Sequence, residues 1–186
     1  MILPIVNYGH PALRGKGKRI ENVDAKIRRF AADMIETMIA HDGIGLAAHQ
    51  VGLPIMLSVV DVSGVKKRPS ALRIDGKTVD LESRMPLVLV NPEVEPFGEV
   101  ETANEGCLSF PEVQGDVSRP RSVKVRAHTL DGEALEFEAD GLLARAIQHE
   151  QDHLVGILFI DRMDPGHRRT LAPQLKKIQD AQSAAG

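Results

Sequence analysis

The chain is 186 residues long, 42% apolar, with 23 basic and 26 acidic side chains and a formal net charge of −3. That is enough for one domain able to bury roughly 70% of the surface its unfolded chain exposes, and nothing calls for a second. The slight negative charge, the absence of Trp and a single Tyr offer neither a basic face nor a stacking platform, which counts against direct RNA or DNA binding.

The start, Met1 to Val6, is apolar but short and lacks a basic leader, and no run of about 18 apolar residues occurs anywhere. The expectation is a soluble, non-exported protein with no membrane partner. Cys107 is the only cysteine; it cannot form an internal disulfide, which agrees with a reducing cytoplasm and leaves a thiol free.

In chain order, the segment from Asp24 to about His41 carries Ile27, Phe30, Ala31, Met34, Ile35, Met38 and Ile39 at helical spacing. Its methionines read as packing residues rather than a metal or binding surface. Gly43-Ile44-Gly45 then breaks the helix and leads through small residues to Gln50. A lone Gly-x-Gly after a helix, with no third glycine at dinucleotide spacing, disfavours a Rossmann phosphate loop and by itself reads as a cap and turn. Ile55 to Val62 and Leu87 to Val90 read as strands, the second closed by Asn91-Pro92, with Val94 to Glu101 as a further strand. Residues 63–86 between them are polar and mixed, a surface excursion in which Asp75-Gly76 can turn a small hairpin.

Arg121 to Thr129 and Glu133 to Ala139 alternate around Asp131-Gly132, a hairpin signal that leads directly into a helix. That helix is expected to start at Asp140 as N-cap, to carry Leu142, Leu143, Ala146, Ile147 and Leu154 at helical spacing, and to stop at Gly156. Ile157 to Ile160 is a short buried run. Asp161, Asp164 and His167 fall around a turn at Pro165-Gly166, and the mixed-charge tail from Thr170 is helical but interrupted by Pro173. Arg168, Arg169, Lys176 and Lys177 make it locally basic, the usual sign of a solvated face. The fold expected is a compact single α+β domain over residues 1–186, with antiparallel strands packed around a central metal-binding helix.

The chemistry concentrates in Gln148-His149-Glu150-Gln151-Asp152-His153. Histidines four apart on a helix differ by only about 40° and roughly 6 Å along the axis, so both imidazoles reach one ion. Glu150 stands beside that clamp, where a carboxylate can take a proton from water activated by the ion without being a ligand. Two histidines need a further protein ligand. The metzincin position is occupied by Phe159, and no Glu follows Glu150, so both familiar zinc-protease completions fail. Downstream remain His167, Asp161 and Asp164; upstream lies Cys107, bracketed by Gly106 and Pro111. An inert buried thiol is the ordinary reading of a single cysteine, but beside an incomplete clamp the balance moves toward a ligand.

Gly-x-Gly-x-Ala-Ala-x-Gln at 43–50, Glu-Gly-Cys-Leu-Ser at 105–109 and Gln-His-Glu-x-Asp-His-Leu-x-Gly at 148–156, in that order, closely resemble peptide deformylase. The resemblance covers essentially the whole chain, with the 63–86 excursion longer than in compact members. It implies a hydrolase that removes the N-formyl group from the initiator methionine of new bacterial or organellar proteins, releasing formate. Carried over, Cys107, His149 and His153 hold a divalent metal with water in the fourth position. The family uses Fe²⁺ physiologically, and Zn²⁺, Ni²⁺ or Co²⁺ can take its place. Glu150 becomes the general base and acid, and the Gln50 amide and Leu108 N–H donate to the oxyanion. Gly43, Ile44 and Gly45 pair with an extended peptide, while Ile44, Leu142, Ala146 and the face of His149 surround the methionine side chain.

For Leu142 and Ala146, plain core packing is an equal alternative. The implied partners are N-formyl-methionyl peptides, met co-translationally near the ribosome by a monomer in a bacterial cytoplasm or an organelle. Two competitors remain at this stage. A metallopeptidase or other amidase would use the same helix on ordinary peptides, and a structural zinc site would be closed by His167 as fourth ligand.

Overall fold

A computed structural model describes residues 1–185. Helix α1 (Ala25–Ala40) begins at Asp24, whose carboxylate accepts the Ile27 N–H at 2.9 Å, satisfying one of the donors that a helix start leaves free. Its apolar stripe buries Ala31, Met34 and Met38 completely, so the methionines are packing residues as expected. Strands β1 (Gly45–Ala47), β2 (Leu57–Val60), β3 (Ser70–Ile74), β4 (Lys77–Thr78), β5 (Leu87–Gly106), β6 (Gln114–His128) and β7 (Ala134–Gly141) precede helices α2 (Leu142–Leu154), α3 (Pro165–Thr170) and α4 (Ala172–Ala185). The strands form one antiparallel sheet in the order β1-β2-β5-β6-β7-β3-β4. α2 lies across it against β1, β2, β5, β6 and β7, the compact α+β arrangement that the sequence predicts.

Buried side chains group in three places. Leu143, Ile147 and Ala144 of α2 pack with Val123, Val125, Phe137 and Leu72; α1 packs with Leu46, Leu57 and Val59; and Phe110, Phe159, Leu158 and Met163 close the third. α2 thereby stands at the centre, held on several sides, which is where a rigid site belongs.

Several expectations need correction. Asn91-Pro92 does not close a strand: β5 continues through it, because Asn91 takes a positive φ of 50° and its side chain bonds both the N–H and the C=O of Ile20. The pairing slips between Val90 and Glu93, a bulge that absorbs the proline without ending the ladder. β6 starts at Gln114 rather than Arg121, because the return arm of the hairpin pairs with β5 from Val90 to its end at Gly106. Pro173 does not interrupt the tail. It sits in the first turn of α4, where a missing N–H costs nothing. Asp164 caps α3 by accepting the His167 N–H at 3.0 Å, so a short helix replaces the expected turn.

The most consequential correction concerns the start of α2. Its N-cap is Gly141, not Asp140, with φ 69° and ψ −135°, and no side chain of its own closes the cap. Asp140 is engaged by Arg73 and by the Ser122 hydroxyl at 2.6 Å. The free N–H groups are satisfied from the excursion instead: Leu142 N–H donates to Pro69 C=O at 3.1 Å and Leu143 N–H to Ser70 Oγ at 2.9 Å. A Cβ on Gly141 would lie 2.2 Å from that Pro69 oxygen, so close approach demands glycine. Residues 63–86 are thus only partly a surface feature. Asp75-Gly76 turns the expected hairpin with φ of 51° and 73°, the signature of a type I′ turn. β3 joins β7 and buries Leu72.

Candidate active site

α2 is buried on nearly every side, yet carries Arg145, Gln148, His149, Glu150, Asp152 and His153. Ionisable groups survive such burial when paired, when they hold an ion, or when their pKa shifts toward the neutral form. His149 and His153 face the same way with ring centroids 5.1 Å apart. The return from β5 to β6 brings Cys107 over them, its Sγ 3.3 Å from His153 Nε2. The donor atoms of Cys107, His149 and His153 lie within 4.8 Å of one another. A tetrahedral ion with ordinary thiolate and imidazole bond lengths needs donors about 3.3 to 3.6 Å apart. The cluster fits one with little adjustment, and one sulfur with two nitrogens is a donor set for Fe²⁺, Zn²⁺, Ni²⁺ or Co²⁺. His167, Asp161 and Asp164 are not part of it among the described residues, so the closed four-ligand zinc site is not formed.

His149 is aimed by its other nitrogen. Nδ1 donates to Glu105 Oε1 at 2.9 Å, leaving Nε2 for the cluster. Glu105 also receives Arg119 Nε and Nη2 at 2.7 and 2.9 Å and Arg145 Nη1 at 2.7 Å. Arg119 Nη1 reaches Asp152 Oδ2 at 2.9 Å, and Arg162 grips the same carboxylate at 2.6 and 2.7 Å. Burial would raise the Glu105 pKa, but the hydrogen bonds from His149 and Arg119, with the charge of Arg119, hold it well below the carboxylate range. The ligands therefore rest on a buried, fully paired ionic network. Arg119 and Arg145 went unrecognised in the sequence, and Glu105 and Asp152 served there only as motif letters. The available signal was spacing, since Arg145, His149 and Asp152 fall on one face of α2.

Glu150 is only 4% exposed, and burial raises its carboxyl pKa to about 7. Its carboxylate packs against Gly45, where an added Cβ would come within 2.4 Å of Oε1, and Oε2 has no partner among the described residues. A carboxylate left open on one side, and titrating near neutrality, suits proton transfer; a nearby cation would favour its charged form.

Gln50 is fully buried, and its amide orientation is set by its neighbours. Oε1 accepts the Ala47 N–H at 2.9 Å, which turns Nε2 toward Cys107 Sγ at 3.4 Å. Leu108 follows the cysteine and lies against Gly43, where a Cβ would be 2.9 Å from Leu108 Cδ1. These groups open into a cleft of about 470 Å³. Gly43, Ile44 and Gly45 form one wall and Leu142 and Ala146 another. Leu142 and Ala146 both line the cleft and pack in the core, so the two readings of them are not exclusive. β1 is an edge strand, with β2 on one side only, and offers unpaired backbone to an extended chain. All eleven residues singled out in the sequence meet around this cleft or the cluster at its floor.

The polypeptide deformylase family profile matches residues 2–169. A peptide deformylase of Methylacidiphilum infernorum is 47% identical over 179 residues, covering 96% of this chain and 94% of that protein. One from Acinetobacter baumannii is 44% identical over 178 residues, covering 95% and 92%. Among solved structures, a plant peptide deformylase superposes with a TM-score of 0.84 at 35% identity, covering 98% of this chain and 92% of that one. The Thermotoga maritima peptide deformylase does so with 0.76 at 37%, covering 89% and 99%.

Proposed function

This chain belongs to the peptide deformylase family, and on that footing we propose that it is a metal-dependent hydrolase in which Cys107, His149 and His153 hold the ion. It removes the N-formyl group from the initiator methionine of newly made polypeptides and releases formate. The observation that carries the reading is the thiol and two imidazoles converging beside a buried Glu150, whose Oε2 has no partner among the described residues, at the floor of an open cleft. When bound, the ion supplies Lewis-acid polarisation of the formyl oxygen and a water of lowered pKa.

The chain's own groups do the rest. The formyl-methionyl backbone lies as an added strand along Gly43–Gly45, and its side chain enters between Ile44, Leu142, Ala146 and the face of His149. Glu150 accepts the proton of the attacking water and returns it to the departing amine, so one carboxyl serves as base and then acid. As charge builds on the formyl oxygen, Gln50 Nε2 and the Leu108 N–H donate hydrogen bonds to it. Gln50 can do so without rearrangement, since Ala47 already occupies its Oε1. Glu105 keeps His149 in the tautomer that presents Nε2.

Fe²⁺ is the resident ion in this proposal, with Zn²⁺, Ni²⁺ or Co²⁺ as substitutes. The catalytic unit is the whole of residues 1–186, acting as a monomer on chains emerging from the ribosome, in a bacterial cytoplasm or an organelle. No helix among the described residues is long and apolar enough to cross a membrane. Anaerobically purified protein should release formate from formyl-Met peptides while leaving acetyl-Met and internal peptide bonds intact, with one iron per chain by metal analysis. Cleavage of acetylated or internal sites at a comparable rate would replace deformylation with a broader amidase activity.

A further inference from the structure

The excursion that caps α2 also delivers a charge to the cleft. Pro69 C=O and Ser70 Oγ are tied to the first N–H groups of α2, so the backbone at residue 68 is pinned at the start of that helix. Arg68 lines the cleft, is exposed, and forms no ion pair or side-chain hydrogen bond among the described residues. The other guanidinium on the cleft wall, Arg145, is buried and committed to Glu105, and Arg73 of the same excursion is committed to Asp140 and Glu138. Arg68 is the cation that remains available to a ligand.

Its position along the cleft follows from helix geometry. From His149 back to Leu142 is about 10 Å at 1.5 Å per residue. A peptide bound in extended form advances about 3.4 Å per residue. A substrate reacting at the cluster floor therefore brings its second and third residues, about 7 to 10 Å on, to the level where Arg68 stands. Two exposed acids, Asp42 and Glu112, also line the cleft, from the walls that carry Gly43 and Pro111. If they governed the mouth, the preference would be for basic side chains, so the sign of any charge preference reports which group the peptide meets.

We propose that Arg68 is a specificity residue that favours formylated peptides with an acidic side chain at the second or third position. The inference rests on the deformylase reading and adds a substrate class to it. Exposed ion pairs are weak, and an attraction set against a repulsion places the Asp-over-Lys ratio of kcat/KM at roughly three- to ten-fold.

The test compares formyl-Met-Ala-Asp with formyl-Met-Ala-Lys, and the same pair with the charge at position two, at low and high salt. The ratio is taken within each protein, so partial loss of folded enzyme cancels. The wild type should prefer Asp, with the ratio shrinking toward one in 1 M salt, where the screening length is about 3 Å. Arg68→Ala should bring the ratio to one or below it, since Asp42 and Glu112 are then the charges left at the mouth, and Arg68→Glu should invert it further. A wild type that favours Lys, or a ratio unchanged in Arg68→Glu, overturns the assignment while leaving deformylation intact. Failure of every formylated peptide, charged or neutral, to release formate from the wild type would overturn the deformylase reading itself and this inference with it.

Discussion

Gly45 offers a way to move the proposed base without touching it. Its backbone is extended within β1, so alanine there brings no dihedral strain. The new Cβ, however, would stand 2.4 Å from Glu150 Oε1, 2.9 Å from Cδ and 3.0 Å from Cγ. Restoring ordinary contact requires the carboxylate to retreat by about 1 Å, and at 4% exposure Glu150 has little room to do so. A displacement of that size at a reacting group can cost about 10²-fold in rate, or roughly 2.7 kcal/mol of barrier. Gly45→Ala should therefore lower kcat by about two orders of magnitude while metal content stays at the wild-type level.

The decisive comparison is a double-mutant cycle with Glu150→Gln, read by single-turnover formate release. Glu150→Gln alone should cost about 10² to 10⁴ in rate with the metal retained. If Gly45→Ala acts through Glu150, most of its effect should vanish in the Glu150→Gln background. Equal losses in both backgrounds, or a single Gly45→Ala variant within twofold of wild type, would mean that the new methyl does not act through Glu150.

Gln50→Ala should lower kcat by the equivalent of roughly 3 kcal/mol with little change in KM, because a donor aimed at the developing oxyanion acts in the transition state; an effect confined to KM would make Gln50 a binding residue. Cys107→Ser should bind metal much more weakly. The wild-type iron form should lose activity in air faster than a nickel- or zinc-loaded sample, and unchanged metal content in the serine variant would move the third ligand elsewhere. Arg119→Met removes the cation that Glu105 and Asp152 share, leaving Arg145 and His149 on the first and Arg162 on the second, and should destabilise the fold by about 1 to 3 kcal/mol, with a Tm near that of wild type counting against the network as a structural keystone. The hydrogen bond from Arg73 holds the Asp140 carboxyl below its ordinary pKa. That stabilisation is present above the unfolded value and lost as pH falls through the folded one. Asp140→Asn should then lower the free energy of unfolding at pH 7 by under about 1 kcal/mol, read as a small drop in Tm, with the gap closing in strong acid, and a gap independent of pH would show that charge is not the cause.

Local chemistry made part of this protein legible in advance. The 3.6-residue periodicity of Ile27 through Ile39 determined α1, and the Asp131-Gly132 and Asp75-Gly76 pairs determined two hairpins, because turn residues and periodicity act within a few residues of themselves. The histidine spacing placed both imidazoles on one face of α2 for the same reason. Tertiary structure decided what depends on partners distant in sequence. β5 runs through Asn91-Pro92 because Asn91 can bond the backbone of Ile20, a residue with no local signature. α2 starts at Gly141 because Pro69 and Ser70 supply its cap, which releases Asp140 to Arg73 and Ser122. The ion pairs that steady His149 link Glu105, Arg119, Asp152 and Arg162 from four separate stretches. A carboxylate's pairing is set by which strand the fold lays beside it, and no periodicity encodes that.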